Sequence, residues 1–462
     1  MASYISRSEF EYRHAAIDSV ESDIALRSCI ATTPRHPDTA DSGPLAGLAI
    51  AIKDNIEARG LPGSAGSLAL IDFPATRDAD IVTKIRAAGG DIVASTNLSE
   101  WANMRSNGST SGWSGVGGLT ANPWALDRSA GGSSSGSGAA VAAGLVSVAI
   151  GTETDGSIVC PAALNGVVGL KPTVGTVSVQ GVVPVSSSQD VPGPIAIDVA
   201  LAARTLSVLA DREDALAAVE NSAEIARNIR VGIARNWFTG HAATDARLEA
   251  ILPLIESIAA SVSDSQIPAA DEPQVGEDEL AVLLADLKDD IDAYLAQRLG
   301  ADHPRASLEA IAQFNRDNAD RELQHFDQFW FDEALRRGGR SAIDFETVRH
   351  RNLRWARETC FGAALEQHDV FIAPTYAPAW KSDLTLRDQY FGGGVTSPAA
   401  IAGYPLISIP MGLVKGLPVG LCIAAAAHQE PLLIALAHEL EKVLGCRPED
   451  GYLPTFRAAE RG

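Results

Sequence analysis

The sequence predicts an α/β protein, and three observations predict it. Short apolar segments are bounded by glycine, proline or acidic residues, helical segments lie between them, and a long amphipathic stretch occupies the middle of the chain. Alternation of strands and helices is typical of layered α/β folds. The 462 residues are 46% hydrophobic, which suffices for one large core. We therefore expect one α/β unit over 1–462, with a helical insertion or cover at about 240–366.

The elements of the first half follow from hydrophobic periodicity and from the positions of glycine. Apolar runs predict strands, and the amphipathic or alanine-rich segments between them predict helices. The predicted helices cover 8–31, 80–88, 136–146 and 195–210. The predicted strands cover 44–52, 90–95, 146–150, 167–170, 182–185 and 230–234.

The second half begins with helices and then returns to strands. Two amphipathic helices are predicted at 243–263 and 276–298, separated by a polar segment that contains proline, and a charged, mostly helical stretch at 305–366 follows. The last part of the chain has predicted strands at 369–374, 406–411 and 418–424 and a final helix at 430–445. α/β segments thus flank a helical middle.

The composition excludes several classes of function. The formal net charge is −21, from 37 basic and 58 acidic residues, so nucleic acid and anionic membranes are not expected partners. No apolar run is long enough to span a membrane, and the polar N-terminus lacks a signal-peptide core. The five cysteines, which form no CxxC pair, predict reduced thiols and a cytoplasmic protein. They are Cys29, Cys160, Cys360, Cys422 and Cys446.

Lys53 is the first candidate for chemistry. It is one of seven lysines and ends a predicted apolar strand, where α/β proteins place their sites. Burial penalises the charged form of an amine, so the pKa of such a lysine falls and the neutral amine can act as a base. The alternative at this point is a lysine that only pairs with Asp54 or another carboxylate.

The glycine-serine loop at 131–138 is the second candidate, because buried segments flank it. A phosphate cradle is one interpretation, although the P-loop and dinucleotide motifs are absent. A nucleophile elbow is another, since Gly132-x-Ser134-x-Gly136 fits its pattern, but no buried strand precedes it. The third interpretation makes these serines proton carriers for another serine.

The segment after the buried strand at 146–150 supplies such a serine. Ser157 follows Gly156 in a predicted tight turn, and the backbone N–H groups of Thr154, Asp155, Gly156 and Ser157 could converge on one oxygen. That arrangement is an oxyanion hole, in which loss of one donor costs about 3 kcal/mol of transition-state stabilisation. The alternative is an ordinary Gly-Ser turn.

Taken together, these three places resemble the amidase signature family. Segments that match the family, these places among them, follow one another in the family's order along nearly the whole chain. The resemblance is weakest between about 215 and 365. The matching segments are 96–100, 121–124, 131–137, 151–162, 166–173, 397–412 and 416–420. Among relatives, the motifs look most like those of bacterial peptide amidases.

The resemblance implies a Ser–cis-Ser–Lys triad and an acyl-enzyme. Ser157 would be the nucleophile, Ser133 the bridging serine after a cis peptide bond, Lys53 the base, and Ser134 a support for the lysine amine. It also implies an α/β/α domain with a mixed central sheet and helices on both faces. No metal or other cofactor is implied, and the nine histidines show no metal-binding spacing.

The expected activity is hydrolysis of a carboxamide C–N bond, with release of ammonia or an amine from a small-molecule or peptide amide. Many family members have glycine at the position of Asp155 and arginine shortly after the nucleophile, where Val159 and Cys160 stand. We therefore expect an acyl group that is neutral near the scissile bond. Trp113 and the glycines Gly392 and Gly393 are candidate pocket residues.

The alternative function is the amidase subunit of a tRNA-dependent amidotransferase, which resembles the same family and needs partner subunits. The main interpretation expects a monomer or homodimer that acts without them.

Overall fold

The computed structural model describes residues 4–18, 26–268 and 272–445. Its strands are Cys29–Thr32 (β1), Ala49–Lys53 (β2), Asp91–Thr96 (β3), Trp113–Ser114 (β4), Gly118–Leu119 (β5), Ala121–Asn122 (β6), Ala125–Ser129 (β7), Val148–Glu153 (β8), Val168–Lys171 (β9), Val191–Ala196 (β10), Arg230–Ile233 (β11), Ser261–Asp264 (β12), Val370–Pro374 (β13), Leu406–Val414 (β14) and Leu417–Ala425 (β15).

The helices alternate with the strands at both ends of the chain and dominate its middle. They are Arg7–Asp18 (α1), Asp80–Ala87 (α2), Ser135–Ala142 (α3), Val159–Asn165 (α4), Val199–Ala210 (α5), Asp214–Glu220 (α6), Ser222–Ala226 (α7), Ala242–Glu256 (α8), Pro273–Leu299 (α9), Leu308–Asp317 (α10), Ala319–Glu322 (α11), Phe329–Arg337 (α12), Phe345–Arg354 (α13), Gly362–Gln367 (α14), Thr396–Ala402 (α15) and Glu430–Leu444 (α16). A π-helical segment, Trp355–Cys360, joins α13 to α14.

A mixed sheet of eleven strands forms the centre of the described fold, in the order β1-β3-β2-β8-β10-β9-β14-β15-β13-β11-β12. β2 pairs in parallel with both β3 and β8, whereas β10 runs antiparallel to β8 and β9. β2, β8 and β9 therefore point the same way, and their carboxyl ends meet at one edge of the sheet. Lys53, Glu153 and Lys171 are the last residues of these three strands.

Helices cover both faces of this sheet, and the alternation along β2 shows how. Ile50 and Ile52 belong to one apolar cluster, which includes residues of α2, α5 and α16. Ala49 and Ala51 belong to a second cluster, in which the alanine-rich α3 packs closely. Successive strand residues face opposite layers, so small residues in β2 allow α3 to approach on its own side.

The helical middle packs against the N-terminal part of the chain. Leu284, Leu287 and Ile291 of α9 share an apolar cluster with Trp101 and with residues of α10 and α12. No helix in the described ranges is long and apolar enough to cross a membrane.

Four sequence predictions were wrong in part, and two of them concern β10 and the segment before it. The predicted helix at 195–210 begins only at Val199, and the preceding residues form β10. Prolines at 192 and 194 concealed this strand, because proline is rare inside a sheet. The predicted strand at 182–185 is a single bridge between Val182 and Ile56.

The other differences concern the ends of predicted helices. Of the predicted helix at 8–31, the structure shows helix up to Asp18. Residues 19–25 lie outside the described residues, and residues 29–32 form β1 instead of helix. The predicted helix at 243–263 ends at Glu256, and β12 follows it. Both strands lie at the two edges of the sheet, where a strand has one hydrogen-bonded neighbour and its sequence pattern is weak.

Candidate active site

The amine of Lys53 lies at the carboxyl edge of the sheet and is surrounded by hydroxyl groups. Its side chain is fully buried, and Nζ donates hydrogen bonds to Ser133 Oγ at 2.7 Å and to Thr152 Oγ1 at 2.9 Å. A third, longer bond reaches the Thr152 carbonyl at 3.2 Å. Because β2 and β8 are parallel neighbours, Thr152 is placed beside Lys53 by the sheet itself.

The alternative in which Lys53 pairs with Asp54 is not supported by the structure. Asp54 accepts hydrogen bonds from Ser95 and from the loop that contains Gly63 and Ser64, and none from the Lys53 amine among the described contacts. Burial lowers the pKa of Lys53 to about 7, although the charges of Asp190 and Glu153 act in the opposite direction. A large fraction of the amine is therefore neutral near neutral pH, as a general base requires.

The loop at 131–138 brings two serines to the carboxyl edge of the sheet. The peptide bond between Gly132 and Ser133 is cis. The next residue, Ser134, contacts the backbone of Thr152 through its hydroxyl, at 3.2 Å to the carbonyl oxygen and 3.3 Å to the amide nitrogen. Ser134 forms no described hydrogen bond with the Lys53 amine, so its support is indirect: both side chains bond to the same carbonyl of Thr152.

Ser157 lies in the turn between β8 and α4. Its backbone carbonyl accepts a hydrogen bond from the Ser134 amide at 3.1 Å, which fixes the two loops to each other. Ser157 as a whole residue is 9% exposed, and it lines a cavity. No described hydrogen bond joins the hydroxyl of Ser157 to that of Ser133. The structure therefore brings the three candidate catalytic residues into one region and shows the lysine–serine contact directly.

Glu153 anchors the turn from the strand side. One of its carboxylate oxygens accepts hydrogen bonds from the amides of Ile158 at 2.6 Å and Val159 at 3.0 Å, at the start of α4. Burial raises the pKa of Glu153, while the nearby Lys171 ammonium and these two amides lower it. A carboxylate at the first turn of a helix also interacts favourably with the helix dipole.

The backbone of the turn leaves its amides available. Within the described residues, no hydrogen bond uses the backbone N–H groups of Thr154, Asp155, Gly156 or Ser157. Gly156 has a φ of +76°, and a Cβ there would lie 3.0 Å from the hydroxyl of Tyr376. A larger residue at this position would therefore be strained and would push the tyrosine away. Unused amides beside a serine are what an oxyanion hole needs.

The cavity beside Ser157 has a volume of about 220 Å³. Aromatic and acidic side chains contribute to its lining: Tyr376, Trp380, Tyr390, Asp155 and Asp388. Asn103, Met104 and Leu283 also line it, and Leu283 comes from α9 in the helical middle. No lysine, arginine or histidine is among the described residues of the lining. The described lining therefore offers no cation to an acyl group that carries a carboxylate.

The structure does not place the three candidate pocket residues in this lining. Trp113 is 3% exposed and packs edge-on against Phe326, with ring centroids 4.9 Å apart, so it belongs to the protein interior. Gly392 and Gly393 lie behind Tyr376: a Cβ on Gly393 would be 2.7 Å from the tyrosine hydroxyl. These glycines permit the position of a ring that does line the cavity, because they have no side chain to displace it.

Several residues of the site were missed by the sequence analysis. Thr152 lies one residue before Glu153, at the end of β8. The pairing of β8 with β2 brings it to Lys53, and motif spacing does not reveal which strands pair. Asp190 accepts a hydrogen bond from Thr154 Oγ1 at 2.5 Å but precedes the unpredicted β10. Tyr376 closely follows β13, so its location at a strand end was the available signal.

Of the cysteines, Cys160, Cys360 and Cys422 are buried free thiols, and Cys446 lies outside the described residues. Burial raises the pKa of Cys160 and of Cys360 to about 12, so both thiols stay protonated near neutral pH. Over 4–18, 26–268 and 272–445, no group of three His, Cys, Asp or Glu side chains is arranged to hold a metal ion.

Comparison with known proteins identifies relatives of this chain. The chain is 33% identical over 437 residues to a curated relative from Symbiobacterium thermophilum, a glutamyl-tRNA(Gln) amidotransferase subunit, and the match covers 88% of this chain and 85% of the relative. The crystal structure of native peptide amidase from Stenotrophomonas maltophilia is 36% identical, with a TM-score of 0.86 and coverage of 96% and 94%.

A third comparison is with the crystal structure of a glutamyl-tRNA(Gln) amidotransferase subunit from Thermotoga maritima, which is 27% identical with a TM-score of 0.67 and coverage of 95% and 92%. The family model named Amidase matches residues 4–434. This match spans the lysine, both serine-containing loops and the sheet that positions them. The chain therefore belongs to the Amidase family and is an amide-hydrolysing enzyme.

Proposed function

We propose that this chain hydrolyses a carboxamide by itself, through an acyl-enzyme on Ser157, and that a peptide C-terminal amide or a similar neutral amide is the substrate. Neutral Lys53 takes a proton from Ser133, and Ser133 takes one from Ser157, so that the Ser157 oxygen attacks the amide carbon. The amides of residues 154–157 stabilise the oxyanion.

The same residues carry the proton back when the C–N bond breaks. The proton held on Lys53 returns through Ser133 to the departing nitrogen, which leaves as ammonia or an amine. Water then attacks the ester on Ser157, with the relay removing its proton, and the carboxylic acid and the free serine are regenerated. Each step uses a group placed at the carboxyl edge of the sheet.

One observation carries this proposal: a fully buried lysine amine lies 2.7 Å from a serine hydroxyl, and its pKa is lowered to about 7. An amine that is neutral near pH 7 and bonded to a hydroxyl can activate that hydroxyl as a base. The Ser134 amide, which bonds to the Ser157 carbonyl at 3.1 Å, holds the nucleophile loop against this pair.

The test combines covalent labelling with an ammonia assay. The purified chain should release ammonia from amidated peptides and should be labelled at Ser157 by a fluorophosphonate. Ser157→Ala should lose both properties while its circular dichroism is unchanged. Ser257→Ala, an exposed serine near the end of α8, is the matched control and should retain both. Wild-type activity in Ser157→Ala would refute the assigned nucleophile.

A second candidate function is that of the amidase subunit of a tRNA-dependent amidotransferase. Several curated relatives with 32–33% identity carry an amidotransferase name, so they give this function more support than the first. The structural similarity points the other way, with a TM-score of 0.86 to the peptide amidase against 0.67 to the amidotransferase subunit.

The two functions differ in what the isolated chain can do. A self-sufficient amidase releases ammonia from a peptide amide without any other protein or RNA. The amidase subunit of a tRNA-dependent amidotransferase needs its partner subunits and tRNA, so alone it should release little ammonia. Negligible activity of the isolated chain on every simple amide, together with normal labelling of Ser157, would favour the second function.

A further inference from the structure

Arg105 is a fully buried cation that connects the wall of the catalytic cavity to the helical middle of the chain. Its Nη1 donates hydrogen bonds to Glu100 Oε1 at 3.0 Å, to Glu322 Oε2 at 3.4 Å and to the carbonyl oxygen of Glu322. The side chains of all three residues are at most 1% exposed. Charged side chains are seldom buried unless they are paired, so these contacts fix the guanidinium in one place.

The helical middle makes further contacts with Arg105. The central carbon of the guanidinium lies 4.7 Å from the ring centroid of Phe326 and 5.3 Å from that of Trp113. The Arg105 carbonyl accepts a hydrogen bond at 3.0 Å from the amide of Trp330, in α12. Aromatic faces attract cations. Trp113, which the sequence made a candidate pocket residue, therefore contacts Arg105 and not the cavity.

The two carboxylates that hold Arg105 are themselves fixed by the N-terminal part of the chain. Glu322 Oε1 accepts a hydrogen bond from the Leu68 amide at 2.6 Å. Glu100 Oε2 accepts one from the Gly115 amide at 2.7 Å. Glu322 is the last residue of α11, so this cluster ties the helical middle to the segment that begins at Glu100.

The three residues just before Arg105 line the cavity beside the nucleophile. At the beginning of the same segment, the Ser99 amide donates a hydrogen bond at 3.0 Å to the carbonyl of Ser133. One short segment therefore runs from the proposed proton relay, along the cavity wall, to the buried guanidinium. Its lining residues are Ala102, Asn103 and Met104.

The backbone of this segment has an unfavourable conformation. Trp101, Ala102 and Asn103 have φ angles of +50°, +53° and +71°, in the left-handed region. Residues other than glycine rarely adopt it in succession, because Cβ comes too close to the following carbonyl oxygen. Such a turn persists where the surrounding contacts hold it. Arg105 follows the lining residues directly, so its fixed side chain can supply that support.

We propose that Arg105 is a positioning residue for substrate binding: held by Glu100 and Glu322, it keeps the left-handed turn at 101–103 in the shape that forms one wall of the cavity. The helical middle contributes to substrate selection through Glu322, which is not among the described residues of the lining. This inference rests on the proposed function, because it concerns how the same cavity binds its amide. A substrate side chain that fills the cavity meets this wall, whereas a substrate without a side chain does not.

Two amides that differ in their side chain test the proposal: N-acetyl-phenylalaninamide and N-acetyl-glycinamide. The double variant Arg105→Met with Glu322→Gln removes the cation without leaving two carboxylates opposite each other. In steady-state ammonia release, we expect KM for the phenylalanine amide to rise about tenfold, while KM for the glycine amide and both kcat values change less than about twofold. A wild-type KM for the phenylalanine amide would overturn the proposal.

Arg305→Met is the matched control. The guanidinium of Arg305 also lies near two rings, 4.2 Å from the centroid of Phe314 and 5.1 Å from that of Phe73, and it donates a hydrogen bond at 2.6 Å to the Ala69 carbonyl. It connects the helical middle to the N-terminal part in the same manner but is not in the described lining. Its replacement should lower the unfolding temperature and leave both KM values unchanged. A selective rise of KM in this control would assign the effect to general loosening and overturn the proposal.

Two single variants extend the test. Arg105→Lys keeps a cation between the carboxylates, so KM for the phenylalanine amide should stay within about threefold of wild type. Glu322→Gln alone keeps an oxygen for the Leu68 amide, and it decides in place of a double variant that does not fold. Its KM for the phenylalanine amide should rise by more than about threefold, and a wild-type value would refute the role of this cluster.

The outcomes separate this proposal from the function on which it rests. If ammonia is released and the double variant keeps wild-type KM values, amide hydrolysis stands and positioning by Arg105 is refuted. If the wild-type enzyme hydrolyses neither amide, the proposed function fails, and labelling of Ser157 by a benzyl and a methyl fluorophosphonate then tests Arg105. The benzyl-to-methyl ratio of labelling rates should fall about tenfold in the double variant, and an unchanged ratio would refute the positioning role.

Discussion

Two lysines end parallel strands at the same edge of the sheet, and their surroundings differ. Lys53 and Lys171 are both fully buried. The amine of Lys53 contacts the hydroxyls of Ser133 and Thr152, whereas that of Lys171 donates to the carbonyls of Tyr404 at 2.8 Å and Pro172 at 3.3 Å. Hydroxyls can give up a proton, but carbonyls can only accept hydrogen bonds from an N–H group.

The carboxylates around the two amines also differ, and they favour the charged form of Lys171 more strongly than that of Lys53. Burial lowers the pKa of Lys53 to about 7 and that of Lys171 to about 8. Lys171 is kept higher by three carboxylates, Glu153, Asp155 and Glu430. The comparison teaches that burial alone does not make a base: the partner atoms decide whether a buried amine exchanges a proton or remains a structural cation.

Replacing the two lysines one at a time is the strongest way to test this comparison. Lys53→Met should lower kcat by about 10³-fold, because the proposed general base is lost, while a buried amine is replaced by an apolar group of similar length. The measurement is steady-state ammonia release together with thermal unfolding. Activity within a few fold of wild type would contradict the role of Lys53.

Lys171→Met should act on stability. Its loss leaves the buried carboxylate of Glu153 without the cation that compensates it, and this costs about 3 kcal/mol of unfolding free energy. Urea denaturation measures the loss, and Lys171→Met with Glu153→Gln should recover part of it, because the uncompensated charge is then removed. A wild-type unfolding free energy in Lys171→Met would show that this cation is dispensable.

The two lysines show how much of the site could be predicted from the sequence. The location of Lys53 at the end of an apolar strand was visible in the sequence, and so were the two serine-containing loops. Lys171 stands at the end of a strand of the same kind, within a matched family segment. Local sequence cannot distinguish the two lysines. The partners of their amines, Thr152 and Tyr404, are brought in by the pairing of β8 with β2 and of β14 with β9.

The fold shows the same limit. Apolar strands such as β2 and β13 and the alanine-rich α3 were predictable, because periodicity and small residues carry the signal. β10 was not, since its two prolines and glycine resemble a loop, and only the pairing with β8 over six residues makes it a strand. The cavity was least predictable: Leu283 and Tyr376 lie far apart in sequence and meet only in the folded chain.

The pH dependence of activity sharpens the comparison without any mutation. Lys53 must be neutral to act as a base, so kcat/KM should rise with pH, reach half its maximum at about 7 and level off about one pH unit higher. Between pH 6 and pH 8 the neutral fraction, and with it kcat/KM, should increase about tenfold. A flat profile between these values, measured by ammonia release at constant ionic strength, would show that no group with this pKa is required.

Thr152→Val should give the smallest effect, because it changes only one of the hydroxyls around the Lys53 amine. The Thr152 hydroxyl accepts hydrogen bonds from Lys53 Nζ at 2.9 Å and from Asn55 Nδ2 at 3.0 Å. Valine has nearly the same shape but cannot accept either bond, so we expect kcat/KM to fall about fivefold. Acceptance by this oxygen stabilises the ammonium form, so the rising limb of the pH profile should also move to lower pH. A profile that keeps its midpoint would mean that Ser133 and the Thr152 carbonyl alone set the protonation of the base.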